Sequence, residues 1–319
     1  MRCSGEKTFV APDRWPLISI VTPSYNQGTF LEQTILSVLR QEYPRLEYII
    51  IDGGSTDGSV DIIRKYADRL AYWVSEPDGG QADAINKGLA RCTGDVFNWL
   101  NSDDVLWAGA LQKVARAWQQ AESPAIFYGL ARHIDEEGND LGYCPAQSSQ
   151  MTLQKLLWVG KYYLMQAATF LPLENVRSLN GANPALDYAL DVDLWVRLRL
   201  QMIHIPAVLA AYRLHRASKT VSASTQFIQD CDLILRQAAR DGLLSEAQAR
   251  SRTHLFATRT YLIPEIGNFR DALSHAYAAV RAEPAVVFEA LAVLLKGTVR
   301  PVAGERLWSK GRSLYVKLR

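Results

Sequence analysis

The sequence predicts an α/β fold, a sheet flanked by helices, followed by an all-helical C-terminal extension. Three observations carry that expectation. Over residues 17–118 short β-branched and aromatic runs alternate with stretches of helical periodicity, the strand–helix–strand rhythm of an open sheet. Those runs stop on polar residues, and in such a sheet ligands bind outside the carboxyl ends of the strands. From about Ser222 the strand signals cease. Helical stripes take over, with Phe227, Cys231, Ile234, Leu235 and Ala238 in one and Phe269, Leu273, Ala276, Tyr277 and Val280 in another.

Composition narrows the class. A chain of 319 residues, 48% hydrophobic and 21% charged, is an ordinary soluble globular sequence with room for one large domain and an appendage. A net charge of +2 is too small to imply a nucleic-acid partner. Cys3, Cys92, Cys144 and Cys231 lie far apart with no C-x-x-C pair, which argues against a zinc ribbon or disulfide framework and fits a reducing compartment. Residues 1–14 lack the apolar core of a signal peptide. The apolar stretch 285–295 is interrupted by Glu289 and falls short of the roughly 20 residues of a membrane span. A cytoplasmic protein is expected.

Taken in order, Leu17-Ile18-Ser19-Ile20-Val21-Thr22 reads as a buried first strand running into the polar loop Pro23-Ser24-Tyr25-Asn26-Gln27-Gly28. Thr29 to Glu32 has the form of a capping box, with Leu31, Ile35, Val38 and Leu39 at helical spacing behind it and Pro44 closing the helix. The second strand, Glu47 to Ile51, ends on Asp52 and a glycine-rich turn. That turn has no Gly-Lys-Ser/Thr, no G-x-G-x-x-G and no EF-hand ligand pattern. What remains is an acid at a strand tip able to accept from a base or ribose, or else a plain Asp/Gly turn. Val60, Ile63, Ala67 and Leu70 mark the next helix, and Ala71 to Ser75 a third strand. After Gly80 a helix carries a narrow stripe of Ala82, Ile85 and Leu89, while Asp83, Asn86 and Lys87 stay polar; its N-terminus would suit an anion. Then Val96 to Leu100 delivers Asp103 and Asp104. Adjacent carboxylates raise each other's pKa unless a cation lies between them, so a divalent metal is the natural resolution. The alternative is a helix cap, with Ser102 or Asp103 capping a helix that starts near Trp107.

Four of these pieces, Val21 to Gln27, Ile51 to Ser59, Ser75-Glu76-Pro77-Asp78 through Lys87-Gly88, and Asn101-Ser102-Asp103-Asp104, resemble the family 2 glycosyltransferases of the GT-A fold. They arrive in family order over about the first 220 residues. The resemblance implies a Rossmann-like mixed sheet and a nucleotide-sugar donor, a UDP-sugar being the expected one, with Asp52 at the nucleobase and Asp103/Asp104 at ribose and a divalent Mn2+ or Mg2+. It further implies donor contacts from Thr22, Pro23, Tyr25 and Asn26, from Asp78, Gln81, Asn86 and Lys87, and from Ser102. The family's metal motif often reads Asp-x-Asp, and residue 101 here is Asn, which leaves open whether Asp103 or Asp104 makes the direct metal bond.

Farther on, Trp107, Ala110, Leu111, Val114 and Trp118 form a stripe suited to core packing, and Ala125 to Tyr128 reads as a strand. Residues 132–139 suggest a hairpin with His133 at the surface. Residues 151–163 look helical and lead to Gln166, which the resemblance puts near the acceptor. The segment Leu186 to Leu198 allows two readings. Its acids sit in the first turn of a helix whose buried stripe includes Leu194, Trp195 and Leu198, which the helix dipole alone would favour. It also resembles the family's acid-aromatic-acid-Leu-Trp pattern, in which the general base falls on Asp191, with Asp193 and Asp187 behind it; Val192 stands where an aromatic is usual. After a strand at 204–209 come Tyr212-Arg213-Leu214-His215-Arg216 and Ser218-Lys219, which resemble the family's diphosphate-side loop. His215 is expected on metal or phosphate and Lys219 on phosphate.

The expectation is therefore a catalytic domain over 1–220 and a helical extension over 221–319. The reaction implied is metal-dependent, inverting transfer to a hydroxyl of a glycan or lipid-linked acceptor, in surface polysaccharide or cell-envelope synthesis. Two alternatives stay open: a sugar-phosphate nucleotidyltransferase, and a nucleotide-sugar-binding or scaffolding protein without turnover. Residues 296–319 hold seven Lys/Arg and one Glu, a net +6 against −4 for the rest, interleaved with Leu307, Trp308, Leu314, Tyr315 and Val316. This tail offers peripheral contact with an anionic membrane, a solvated helix, or a segment packed on its own domain.

Overall fold

The computed structural model describes residues 15–144, 149–159, 163–215, 225–262 and 269–303. These form two compact units. The first gathers the described residues up to 152 with Leu164–Pro184 and Arg197–Arg213; the second gathers those of Leu153–Tyr163, Ala185–Val196 and the described residues from 214 onward.

Numbered along the whole chain, the first unit contains β1 (Ile18–Ser24), α1 (Gly28–Leu39), β2 (Leu46–Asp52), α2 (Ser59–Lys65), β3 (Tyr72–Ser75), α3 (Gln81–Arg91), β4 (Val96–Trp99), β5 (Val105–Leu106), α4 (Ala110–Gln120), β6 (Ala125–Ile134), β7 (Asp140–Tyr143), β8 (Thr169–Pro172), α6 (Leu173–Ser178) and β9 (Gln201–Arg213). The sheet order is β3-β2-β1-β4-β8-β6-β9-β5, with β7 on the edge of β6. Strands β1 to β4 pair in parallel, and β8 joins β4 and β6 antiparallel, so the sheet is mixed. Every residue of β1 is buried, as a central parallel strand covered on both faces requires. The chain steps outward from β1 to β2 and β3, then returns to the other side of β1 as β4. That reversal opens a crevice at the carboxyl ends of β1 and β4.

The core explains the spacing. Ile18, Ile20, Leu31, Ile35, Val38, Tyr48 and Ile50 join Leu111, Val114, Trp118, Phe127 and Phe170 in one buried cluster, so the α4 stripe is core as expected. Helix α3 lies directly on β1. A Cβ at Gly88 would come within 2.4 Å of Val21 Cγ1, and only glycine allows that approach.

Several local expectations are corrected. No capping box forms at Thr29–Glu32: α1 begins at Gly28 without a side-chain cap, Gly28 N–H donates instead to Asp57 Oδ2 at 2.8 Å, and Glu32 accepts from Lys65 and Tyr66. The acids at 103–104 do not cap a helix, because β5 intervenes and α4 is preceded by Gly109 with φ +70°. Strand β6 runs on to Ile134, which leaves His133 half-buried and its imidazole pKa lowered by that burial. Strand β9 likewise extends to Arg213. In residues 151–159 the only helix is one turn, α5 (Leu153–Leu156).

The second unit also holds α7 (Leu190–Leu198), whose first seven residues belong to it, and α8 (Thr225–Arg240), α9 (Glu246–Tyr261), α10 (Phe269–Ala282) and α11 (Val287–Ala303). Ser245 and Gln248 close a reciprocal capping box on α9. Small residues Ala276, Ala279 and Ala290 pack with Leu255 and Val286. Among the described residues no helix is long and apolar enough to cross a membrane. Lys219 and residues 304–319 of the basic tail lie outside the described residues.

Candidate functional site

The acid loop after β4 is fixed from several directions. Its backbone turns tightly, Asp104 N–H donating to Asn101 O at 3.1 Å, and Thr34 Oγ1 sits 2.9 and 2.7 Å from the carbonyls of Ser102 and Asp104. Arg213, fully buried at the end of β9, donates from its backbone N–H to Asp104 Oδ1 (3.0 Å) and from Nε to Asp103 O (2.9 Å). Its other nitrogens reach the carbonyls of Asp135 and Glu136 and Gln33 Oε1, and its guanidinium lies over the Phe30 ring. One arginine thus ties the acids to the β6–β7 turn and to α1. Asp104 is 1% exposed, and its carboxyl is pushed well above the usual range, first by burial and then by the charge of Asp103; the N–H of Arg213 and the amide of Asn101 oppose the shift. Gln81 donates to Asn101 Oδ1 at 2.8 Å, which links α3 to the same loop.

Two adjacent carboxylates, one of them desolvated, are hard oxygen donors suited to a divalent cation. Among the described residues no three His, Cys, Asp or Glu side chains converge on a metal position.

Beside this loop, the ends of β1, β2 and β3 meet in register at Ser24, Asp52 and Ser75. Asp52 is fully buried and committed to its own loop. Oδ2 accepts from the N–H groups of Gly54 (3.2 Å) and Ser55 (2.9 Å) and from Ser75 Oγ (2.7 Å), and Oδ1 accepts from Ser55 Oγ (2.6 Å). Asn26, at φ +51°, locks the neighbouring loop by donating its N–H to Ser55 Oγ and accepting from Thr56 N–H. A Cβ on Gly53 would lie 2.9 Å from Asp78 Oδ2, so the glycine admits a half-buried second carboxylate to the tip of β2. Tyr25 is 63% exposed.

Other expected donor residues have protein partners. Thr22 is buried in β1 with its hydroxyl 3.0 Å from Tyr48 Oη, and Pro23 is a buried member of the same strand. Both amide atoms of Asn86 pair with the backbone of Ala182 at 2.8 Å. Lys87 bridges Glu76 (3.1 Å) and Asp83 (3.4 Å), and Ser102 is 5% exposed. Gln166 opens a short 3-10 turn and donates to Trp99 O at 2.5 Å.

In the second unit, Asp191 is the second residue of α7. It is partly exposed, and its Oδ1 accepts from Val192 N–H at 2.8 Å. Burial pushes its carboxyl up to about 6 against that hydrogen bond. Asp193 is 7% exposed, Leu194, Trp195 and Leu198 are buried as the stripe requires, and His215 is 3% exposed.

Two residues of motifs noted in the sequence have surroundings that only the structure shows. Arg213 was legible as part of the Arg-x-His pattern, but its partners lie 77 to 180 residues away along the chain. Ser24 Oγ is buried without a hydrogen-bond partner among the described residues, at the crevice end of β1.

Residues 19–163 match the family model described as Glycosyl transferase family 2. An uncharacterized glycosyltransferase of Rickettsia felis is 26% identical over 262 residues, 77% of this chain and 42% of the relative. One from Rickettsia prowazekii is 28% identical over 251 residues, 76% of this chain and 77% of the relative. The chain thus spans well under half of the Rickettsia felis relative. Among solved structures, S. aureus TarS 1-349 in complex with UDP-GlcNAc superposes with a TM-score of 0.60 at 15% identity, over 94% of this chain and 90% of that one. Mannosyltransferase PcManGT from Pyrobaculum calidifontis, in complex with GDP-Man and Mn2+, gives 0.60 at 19% identity over 98% and 88%. At these identities the two structures speak for the fold, which is the GT-A arrangement.

Proposed function

From the premise that residues 19–163 make this chain a member of glycosyl transferase family 2, we propose that it is an inverting transferase moving a sugar from a nucleoside-diphosphate donor to a hydroxyl of a glycan or lipid-linked acceptor. The observation that carries the proposal is the buried, proton-attracting Asp104 beside Asp103 in the crevice where the strand order reverses. The solved relatives with UDP-GlcNAc and with GDP-Man and Mn2+ support the donor class.

In this reading Asp52 and Asn26 hold the two loops that frame the nucleobase and ribose, exposed Tyr25 offers a ring for stacking, and Asp78 is the acceptor at the tip of β2. Ser24 Oγ and the N-terminus of α3 at Gln81 are polar groups for the ribose and the diphosphate. Asp103 and Asp104 would hold a divalent cation, which when bound would stabilise negative charge on the departing diphosphate; the family resemblance supports His215 as a metal or phosphate contact and Lys219 as a phosphate contact. Asp191 takes the acceptor hydroxyl's proton as its oxygen attacks the anomeric carbon, and the bond to the diphosphate breaks on the opposite face. Only the carboxylate form can do so. Family resemblance supports an acceptor of cell-envelope assembly, and the basic tail supports recruitment to an anionic membrane surface.

Calorimetry with UDP, GDP, CDP, ADP and dTDP, each with Mn2+, Mg2+ or chelator, tests the donor site. One nucleotide is expected to bind with metal, and Asp104→Asn, which preserves shape and the Arg213 contact, is expected to abolish the metal dependence. Binding by none of the five under any metal condition would overturn the assignment.

A further inference from the structure

We infer that Asp230 is a positioning residue for Asp191, an inference that rests on the reading of Asp191 as the base. Asp230 lies on α8, 3% exposed. Its Oδ2 accepts from three consecutive backbone N–H groups, those of Asp187 (3.0 Å), Tyr188 (2.8 Å) and Ala189 (3.2 Å). These are the last three residues before α7, whose second residue is Asp191. Successive N–H groups converging on one oxygen form an anion-binding nest, and here the anion is a side chain from a helix some 40 residues on. Bonds of this kind carry charge on the acceptor and are stronger than neutral ones.

The same helix grips the turn a second time. Phe227, three residues before Asp230, meets the Tyr188 ring edge-on at 6.5 Å and is itself packed on Phe256 of α9. Cys231, adjacent to Asp230, is fully buried, and its thiol pKa is raised by that burial first and then by the charges of Asp230 and Asp191. Asp230 touches no reacting atom. It fixes the backbone of 187–189, hence the direction in which α7 starts and the place where its base sits. A displacement of about 1 Å at a reacting group costs roughly a hundredfold in rate.

The test uses the full chain with Asp230→Ala, Asp230→Asn and Asp191→Asn, comparing folded fractions by circular dichroism. Amide hydrogen exchange is followed over 187–193, and nucleotide release is measured from UDP-GlcNAc and GDP-mannose. In Asp230→Ala, exchange at 187–189 is expected to rise at least tenfold while β1 to β4 keep their protection. Its kcat per folded molecule is expected to fall roughly tenfold to a hundredfold with donor KM within twofold. Asp230→Asn, which keeps one acceptor oxygen, should lie between. Unchanged exchange at 187–189, or wild-type kcat in folded Asp230→Ala while Asp191→Asn is silent, would overturn this inference alone. Undiminished kcat in Asp191→Asn would sink the base assignment and this inference with it.

Discussion

At the scale of the residue, the two acids assigned to chemistry owe their properties to burial. Asp104 and Asp191 are both pushed toward the protonated form by desolvation, the first with a neighbouring carboxylate adding to it and the second by burial alone. For Asp191 the sign is direct. As the proposed base, with a folded-state pKa of about 6, it would be protonated and idle below that pH and active above it. The acceptor kcat/KM is expected to rise with unit slope through about pH 6 and level off by pH 7, and Asp191→Asn should remove that limb and lower the plateau roughly 10²- to 10⁴-fold. A profile flat from pH 5 to 8 would show that another group takes the proton. The same shift means that the native state binds this proton more tightly than the unfolded chain, so Asp191 detracts from stability above pH 6 and ceases to do so as the pH falls.

At the scale of the element, α3 shows how a site is held by close approach. Exposed helix-interior glycines usually gain from alanine, by about 0.5–1 kcal/mol. Gly88 should do the opposite, because the added methyl would fall 2.4 Å from Val21 Cγ1 and 2.9 Å from Cγ2 in the rigid centre of the sheet. Overpacking of this kind costs about 1–3 kcal/mol. Gly88→Ala is expected to lower the urea midpoint and to weaken nucleotide binding, since Gln81 at the start of the same helix supports Asn101 in the acid loop. An increase in stability would mean that α3 can move off β1 freely. Helix α8 behaves differently: its stripe of Cys231, Ile234, Leu235 and Ala238 was legible from apolar spacing and is buried, while Asp230 sits among ordinary helix positions and is singled out only by the three N–H groups it meets.

At the scale of the whole molecule, α10 and α11 each leave an apolar stripe exposed, Phe269, Leu273 and Tyr277 on one and Phe288, Leu291 and Leu295 on the other, and the basic sequence at 296–319 follows directly. Buried apolar area and Lys/Arg at about 1 kcal/mol each act together on an anionic surface. The chain is expected to sediment with vesicles of phosphatidylglycerol and not with phosphatidylcholine, and Phe288→Glu with Leu291→Glu should release it; equal partition to both vesicles would refute the electrostatic part. By itself the sequence determined the order of strands and helices, the crevice-end location of Asp52, Asp103 and Asp104, and the resemblance to a glycosyltransferase family, because alternation, helical spacing and short motifs are local and survive reading along one dimension. Tertiary structure decided what those residues are free to do. It turned Asp52 inward onto Ser55 and Ser75, gave Asn86 to Ala182, brought Arg213 to Asp103 and Asp104, and seated Asp230 beneath the turn before Asp191. Hydrogen bonds between residues so far apart in the chain are set by the packing of elements, and no local pattern encodes them.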